Sequence, residues 1–271
     1  MTTTLEPDWY QSDAGLRTRI ETHRLYSRVK EPWADWLLSL TEWRGDERVL
    51  DVGCGSGALL LPVAQRVPAG LAVGLDYSQA MVERCQSEAR EQGIRLGLTR
   101  GTALRLPFPA ATFDVVMANH MLYHVPDIPT ALAEAHRVLK PDGLFIAATN
   151  GANTMPQIEQ VHQAAYARLG LPTPEDYAGH KVSTRFSLDN GRPLLEAVFS
   201  QVSVVRRADA FDFPTAEPFL RYYGSLATAP PADPALAEQI LAAVRDEVEA
   251  VIAERGVFTV DKEAGAFVAR K

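Results

Sequence analysis

The pattern of apolar and polar positions divides the chain into short β-prone runs separated by helical segments. Val49-Leu50-Asp51-Val52 ends in a glycine-rich turn, Gly53-Cys54-Gly55-Ser56-Gly57, and residues 58–67 continue as an apolar helical segment. Residues 70–76 repeat the plan, a buried strand ending in Asp76, with Ser78 as the N-cap of the next helix. Residues 94–99 read as a third strand, Phe113–Asn119 as a fourth and 144–149 as a fifth, with an amphipathic helix over Ile128–Val138 and a turn at 139–143. Regular alternation of strand and helix predicts a parallel α/β sheet. Beyond residue 150 the pattern predicts helices over 155–169, 187–199, 214–226 and Pro234–Arg255, and a sixth strand over 202–207. A last strand over 256–260 has residues 266–268 as its continuation or partner. Before the first strand, residues 1–15 are polar, and 16–40 read as helix broken at Pro32. Trp33, Trp36, Leu37 and Leu40 share one helical face, which is expected to pack on the core.

The glycine turn suits an anionic or strongly polar ligand, because the first amides of the following helix are unpaired. A mononucleotide P-loop would need Lys-Ser/Thr after its last glycine, and Ala58-Leu59 stands there. Gly53, Gly55 and Ala58 satisfy the short dinucleotide pattern, which keeps an NAD-dependent oxidoreductase as an alternative. The full stretch 49–57 resembles the first motif of class I S-adenosylmethionine (SAM)-dependent methyltransferases, V-L-D-x-G-x-G-x-G. The resemblance implies that Gly53, Gly55 and Gly57 cradle SAM, with Asp51 facing its cationic end. Asp76, a little over twenty residues on, is placed to bind the ribose hydroxyls. Tyr77 and Met81 contact the adenine or pack in the core. Residues 101–108 resemble the family's G-D-A-x-x-L-P-F segment, with Thr102 in place of the usual acid, so Thr102, Ala103 and Leu104 are assigned to the adenine edge. The run R-V-L-K-P-D-G-L-F at 137–145 resembles the family's turn before the fifth strand and is expected to be structural.

The fold so implied is α/β, a Rossmann-like class I methyltransferase with a seven-stranded, mostly parallel sheet flanked by helices. Residues 1–44 would form an N-terminal helical lid and 45–150 the SAM-binding core. Residues 151–271 would complete the sheet and carry helical substrate-binding insertions over roughly 151–186 and 209–255. In relatives the segment before the first strand lies across the cofactor, so Tyr26, Arg28 or Lys30 would reach the SAM carboxylate.

Ligands of doubly wound sheets bind outside the carboxyl ends of the strands, which puts Asn119 and His120 beside the methionine part of SAM. His120 and His124 are four apart, so a helical turn would align them. A metal pair lacks a third ligand at a suitable spacing. A general base is better motivated, with His124 and His120 as candidates and His23 and His180 behind them. Tyr177, His180, Phe186, Phe211, Phe213, Phe219, Tyr222 and Tyr223 are candidate walls for a small, partly apolar acceptor. The amino-methylation signature Asn/Asp-Pro-Pro-Tyr/Phe and the Pro-Cys nucleophile of cytosine methylation are absent. What remains resembles the ubiquinone/menaquinone-biosynthesis and natural-product O-, N- and C-methyltransferases. A SAM-binding regulatory protein without catalysis is the competing reading.

Composition narrows this little. Among 271 residues, 34 acids against 27 bases give a net charge of −7, which argues against a nucleic-acid surface. Cys54 and Cys85 are the two cysteines and form no metal spacing or disulfide framework. A reducing cytosol fits that usage, and no leader or membrane-length apolar run is seen, so a cytoplasmic monomer or homodimer is expected.

Overall fold

The computed structural model describes residues 13–172, 185–226 and 233–271. In chain order these form α1 (Asp13–Tyr26), α2 (Trp33–Leu38), β1 (Arg48–Val52), α3 (Leu60–Arg66), β2 (Leu71–Asp76), α4 (Gln79–Glu91), β3 (Gly97–Arg100) and β4 (Phe113–Asn119). There follow α5 (Ile128–Val138), β5 (Leu139–Asn150), α6 (Pro156–Arg168), α7 (Gly191–Glu196), β6 (Ser200–Phe213), α8 (Ala216–Gly224), α9 (Pro234–Arg255) and β7 (Phe258–Arg270). Among the described residues the strands make one seven-stranded sheet in the order β3-β2-β1-β4-β5-β7-β6. Strands β1 to β5 pair in parallel, and β7 runs antiparallel to β5. The strand–helix alternation predicted the parallel sheet, and the whole is the Rossmann-like class I methyltransferase fold that the motif resemblance implied.

Two compact units divide the chain. One comprises Glu31–Ala152, Ser183–Arg206 and Ala264–Lys271, and holds the sheet from β3 to β5. Its strands are buried on both faces, as parallel strands covered by helices must be. Val49, Leu50, Val116, Met117, Phe145 and Ile146 are at most 1% exposed. The expected turn at 139–143 is an excursion within β5: Phe113 pairs with Leu139 and Val115 already with Leu144, and Asp142 takes a positive φ of 62°. The helix expected over 187–199 is confined to Gly191–Glu196. Before it, Ser187 and Asn190 fold the chain into a side-chain-bonded turn, Ser187 N–H donating to Asn190 Oδ1.

The other unit comprises Met1–Lys30, Asn153–Val182 and Arg207–Glu263. Its core gathers α6, α8 and α9 with the outer parts of β6 and β7, through Ile158, Phe213, Phe219, Val244 and Phe258. Strand β6 is far longer than the 202–207 expected, whereas β7 joins 256–260 and 266–268 in one continuous strand, one of the two expected arrangements.

Candidate functional site

At the carboxyl edge of β1, Gly53, Gly55 and Gly57 all adopt positive φ. Two of these glycines are required by contact as well as by backbone. A Cβ on Gly53 would lie 2.8 Å from Met121 Cβ, and one on Gly57 would lie 2.7 Å from Cys85 Sγ. The loop is therefore folded against the end of β4 on one side and against α4 on the other. Leu75 O accepts from the amides of Gly53, at 2.7 Å, and Cys54, at 3.1 Å. Cys54 and Cys85 are both buried, and Cys54 Sγ donates to Gly55 O at 3.8 Å; the neighbouring Cys85 thiol first, then burial, raises the Cys54 pKa.

Asp76 ends β2 and latches the loop. Its Oδ2 accepts from the Gly55 amide at 2.8 Å and its Oδ1 from the Ser78 amide at 2.9 Å. Ser78 does occupy the N-cap position of α4, but its hydroxyl makes no cap bond. The Asp76 carboxylate orders this turn instead. Asp51 is 1% exposed and its Oδ1 has no hydrogen-bond partner among the described residues. Burial first, then the charges of Asp76 and Cys85, push its pKa well above the usual carboxylate range. Ionising a buried carboxyl costs free energy unless a cation lies beside it, so a cationic group placed here would favour the charged form. The residues present thus fit SAM: an amide-rich glycine cradle, a latched carboxylate at ribose distance in sequence, and an orphaned buried acid.

Next along the edge, Gly101 donates to Asp76 O at 2.9 Å and opens a tight turn in which Thr102 Oγ1 accepts from the Leu104 amide at 3.2 Å. Ala103 is buried, and Thr102 and Leu104 are half-buried. The turn is held from α5. Glu134 Oε2 accepts from the Leu106 amide at 2.7 Å, while Arg137 donates to Leu106 O, Phe108 O and the Glu134 carboxylate. Arg137 thereby gives the 137–145 run a physical task, tying the 101–108 segment to α5. Replacing Arg137 with Ala is expected to cost about 2 kcal/mol, two backbone hydrogen bonds and an ion pair being lost. A urea titration showing an unchanged midpoint would contradict this. Tyr77 is 55% exposed beneath Arg100, whose Cζ lies 5.9 Å from the ring centroid, and Met81 is 9% exposed.

The order β2-β1-β4 places the topological switch between β1 and β4, so the crevice lies between the glycine loop and Asn119–Met121. His120 has a positive φ of 52°, and its amide donates to Ala148 O at 3.0 Å. The two histidines therefore do not share a helical face. The only helical turn here is a 3₁₀ turn over Leu122–His124, and His120 precedes it in a left-handed conformation. Both side chains are neutral at physiological pH. Burial first, then His124, lowers His120 to about 4; desolvation first, then Arg185, lowers the more exposed His124 to about 4. Arg185 clamps this turn by donating to Val125 O at 2.7 Å, Pro126 O at 3.1 Å and Tyr123 O at 3.3 Å.

Of the N-terminal candidates, Tyr26, Arg28, Lys30 and His23 belong to the other unit. Arg28 makes a two-pronged bond to Asp212, at 2.6 and 2.8 Å, and Tyr26 packs on Phe213. Lys30 donates to Leu25 O, and His23 accepts from Lys262 Nζ at 3.0 Å. Tyr177 and His180 lie outside the described residues. Phe211, Phe213, Phe219, Tyr222 and Tyr223 are at most 3% exposed and pack on one another as core, and Phe186 packs on Phe267. Trp33 packs against the core, as its helical face led us to expect. Its indole Nε1–H also donates to Asn119 Oδ1 at 3.0 Å, and its ring centroid lies 5.2 Å from that of His120. Only the need of a buried indole for an acceptor hinted at this.

Comparison with known proteins agrees with the geometry. A family described as "Methyltransferase domain" matches residues 50–147. Nocamycin O-methyltransferase of Saccharothrix syringae is 42% identical over 114 residues, 41% of this chain and 41% of that protein. Demethylmenaquinone methyltransferase of Symbiobacterium thermophilum is 40% identical over 119 residues, 43% of this chain and 47% of that protein. The matches thus span about half the length of these curated relatives. The crystal structure of YcgJ from Bacillus subtilis superposes with a TM-score of 0.58 at 24% identity, covering 88% of this chain and 97% of that one. Residues 50–147 thus match a methyltransferase domain, and the chain is similar to small-molecule members of the class I SAM-dependent methyltransferases. No described helix is long and apolar enough to cross a membrane.

Proposed function

We propose that the protein transfers a methyl group from SAM to an oxygen, nitrogen or carbon atom of a small, partly apolar molecule. The observation that carries this reading is Asp51, a fully buried carboxyl with an unpartnered oxygen beside the glycine cradle. The names of the two curated relatives, a nocamycin O-methyltransferase and a demethylmenaquinone methyltransferase, support an acceptor of this small class. When bound, SAM supplies a methyl group made electrophilic by its sulfonium.

Each residue then has a task. Gly53, Gly55 and Gly57 hold the cofactor's polar groups, and Asp51 takes its cationic end. Asp76 binds the ribose hydroxyls while keeping the Gly55 amide in place. Thr102, Ala103 and Leu104, with Tyr77 and Met81, receive the adenine. Asn119 flanks the methionine part. Catalysis of an in-line displacement rests on alignment and exclusion of water, and an acceptor hydroxyl or carbon acid also needs a base. His124 is the first candidate base because it is exposed as well as neutral; the half-buried His120 is the second.

Replacing His124 with Ala is expected to lower kcat about a hundredfold, the usual range for a lost general base. SAM affinity should be unchanged. Because its pKa lies near 4, the acid limb of the rate profile should fall below pH 5 rather than near 6.5. Unaltered turnover would remove His124 from the mechanism. The function itself is tested by calorimetric titration with SAM and with NAD, then by transfer of labelled methyl into a metabolite extract with mass spectrometry of the product. Binding of NAD alone would sink the assignment. SAM binding without transfer to any metabolite would favour a regulatory SAM-binding protein.

A further inference from the structure

We propose that Trp33 is a positioning residue of the cofactor crevice, fixing the side-chain amide of Asn119 so that its NH₂ group is presented to the ligand. This rests on the SAM-site reading above. An indole nitrogen can only donate, so the Asn119 atom 3.0 Å from Trp33 Nε1 is the carbonyl oxygen. With Oδ1 held there, Asn119 Nδ2 has its two N–H donors turned to another direction. A freely rotating amide would present oxygen and nitrogen about equally and discriminate poorly between an anionic and a cationic group. The indole fixes that choice.

The surroundings make the indole rigid enough for this work. Trp33 opens α2 directly after Pro32, whose φ of −57° fixes the entry of the chain into the helix. Its ring centroid lies 4.8 Å from that of Trp36 and 5.2 Å from that of His120, and α2 is anchored by Leu37 and Leu38, at most 1% exposed. Asn119 is the last residue of β4 and lies opposite Ala148 of β5, so its backbone is fixed as well. It stands at the switch between β1 and β4, and Met121, two residues on, packs at Gly53. The methionine end of SAM carries an ammonium and a carboxylate. Asp51 is a carboxyl suited to the first, and an amide donor held by Trp33 is suited to the second.

The test is a double-mutant cycle on SAM affinity, measured by calorimetry in the absence of acceptor, with Trp33→Phe and Asn119→Ala. Phe keeps an aromatic ring near Trp36 and His120, removes the N–H and leaves a smaller side chain. Trp33→Phe is expected to raise the SAM Kd about tenfold, the size of one charge-assisted hydrogen bond made less available. The double variant should be no weaker than Asn119→Ala alone, because Trp33 acts through Asn119. Two results would overturn the proposal: a Trp33→Phe protein that binds SAM as wild type does, or effects of the two substitutions that simply add. A Trp33 with only a packing role would lower the melting temperature in Trp33→Ala without changing Kd in Trp33→Phe. Failure of the wild-type protein to bind SAM would instead overturn the SAM-site reading itself.

Discussion

Replacing Asp76 with Ala is expected to weaken SAM binding by about a hundredfold or more, nearly 3 kcal/mol, through two losses that reinforce each other. The first is the acceptor for the ribose hydroxyls. The second is the latch: the Gly55 and Ser78 amides, now bonded at 2.8 and 2.9 Å, lose their shared carboxylate. The glycine loop would then be free to leave the conformation that its positive φ values require. Asp76→Asn separates the contributions only partly. One carboxylate oxygen becomes an NH₂ group that faces an amide N–H and cannot accept from it, so this variant should be almost as weak. Calorimetry that finds unaltered SAM affinity in Asp76→Ala would overturn the ribose assignment.

The second large effect belongs to Asp51. Its raised pKa means that the folded free protein holds a proton that the unfolded chain releases above about pH 4. This carboxyl therefore contributes stability that is present at low pH and is lost as pH rises through its folded value. The lowered values of His120 and His124 act in the opposite sense, costing stability as pH falls from about 6.5 to about 4. A cationic ligand beside Asp51 favours the ionised form, so binding should release a proton. SAM affinity should rise with pH, and the binding enthalpy should vary with the ionisation enthalpy of the buffer. Asp51→Asn is expected to bind SAM about a hundredfold more weakly, as when one partner of a buried charge pair is removed. Its affinity should be independent of pH, and the free protein should be at least as stable as wild type. An Asn variant that binds SAM with full affinity would show that the buried carboxyl serves the fold rather than the cofactor.

Much of the core could be read in the amino-acid order because its information is local. Phe113–Asn119, Ile128–Val138 and Pro234–Arg255 were delimited from pattern and appear with those bounds. A fully apolar run bounded by turn residues, a 3.6-residue stripe and a Pro start each declare themselves within a dozen positions. Strand β6 and the 187–199 stretch were harder. An edge strand such as β6 alternates weakly, its burial following its partners rather than its own composition.

By itself the sequence determined the glycine turn, the acid before it, the acid after it and the alternation that makes a parallel sheet. It could do so because each is a matter of neighbouring residues and their backbone preferences. The tertiary structure decided which of those groups meet. It left Asp51 Oδ1 without a described hydrogen-bond partner, turned His120 into a left-handed position off the helical turn of His124, and engaged Arg28 with Asp212. It also brought the indole of Trp33 to Asn119, a residue 86 positions away. Those outcomes depend on burial, hydrogen-bond satisfaction and charge pairing between distant segments, and such terms acquire values only once the chain is packed.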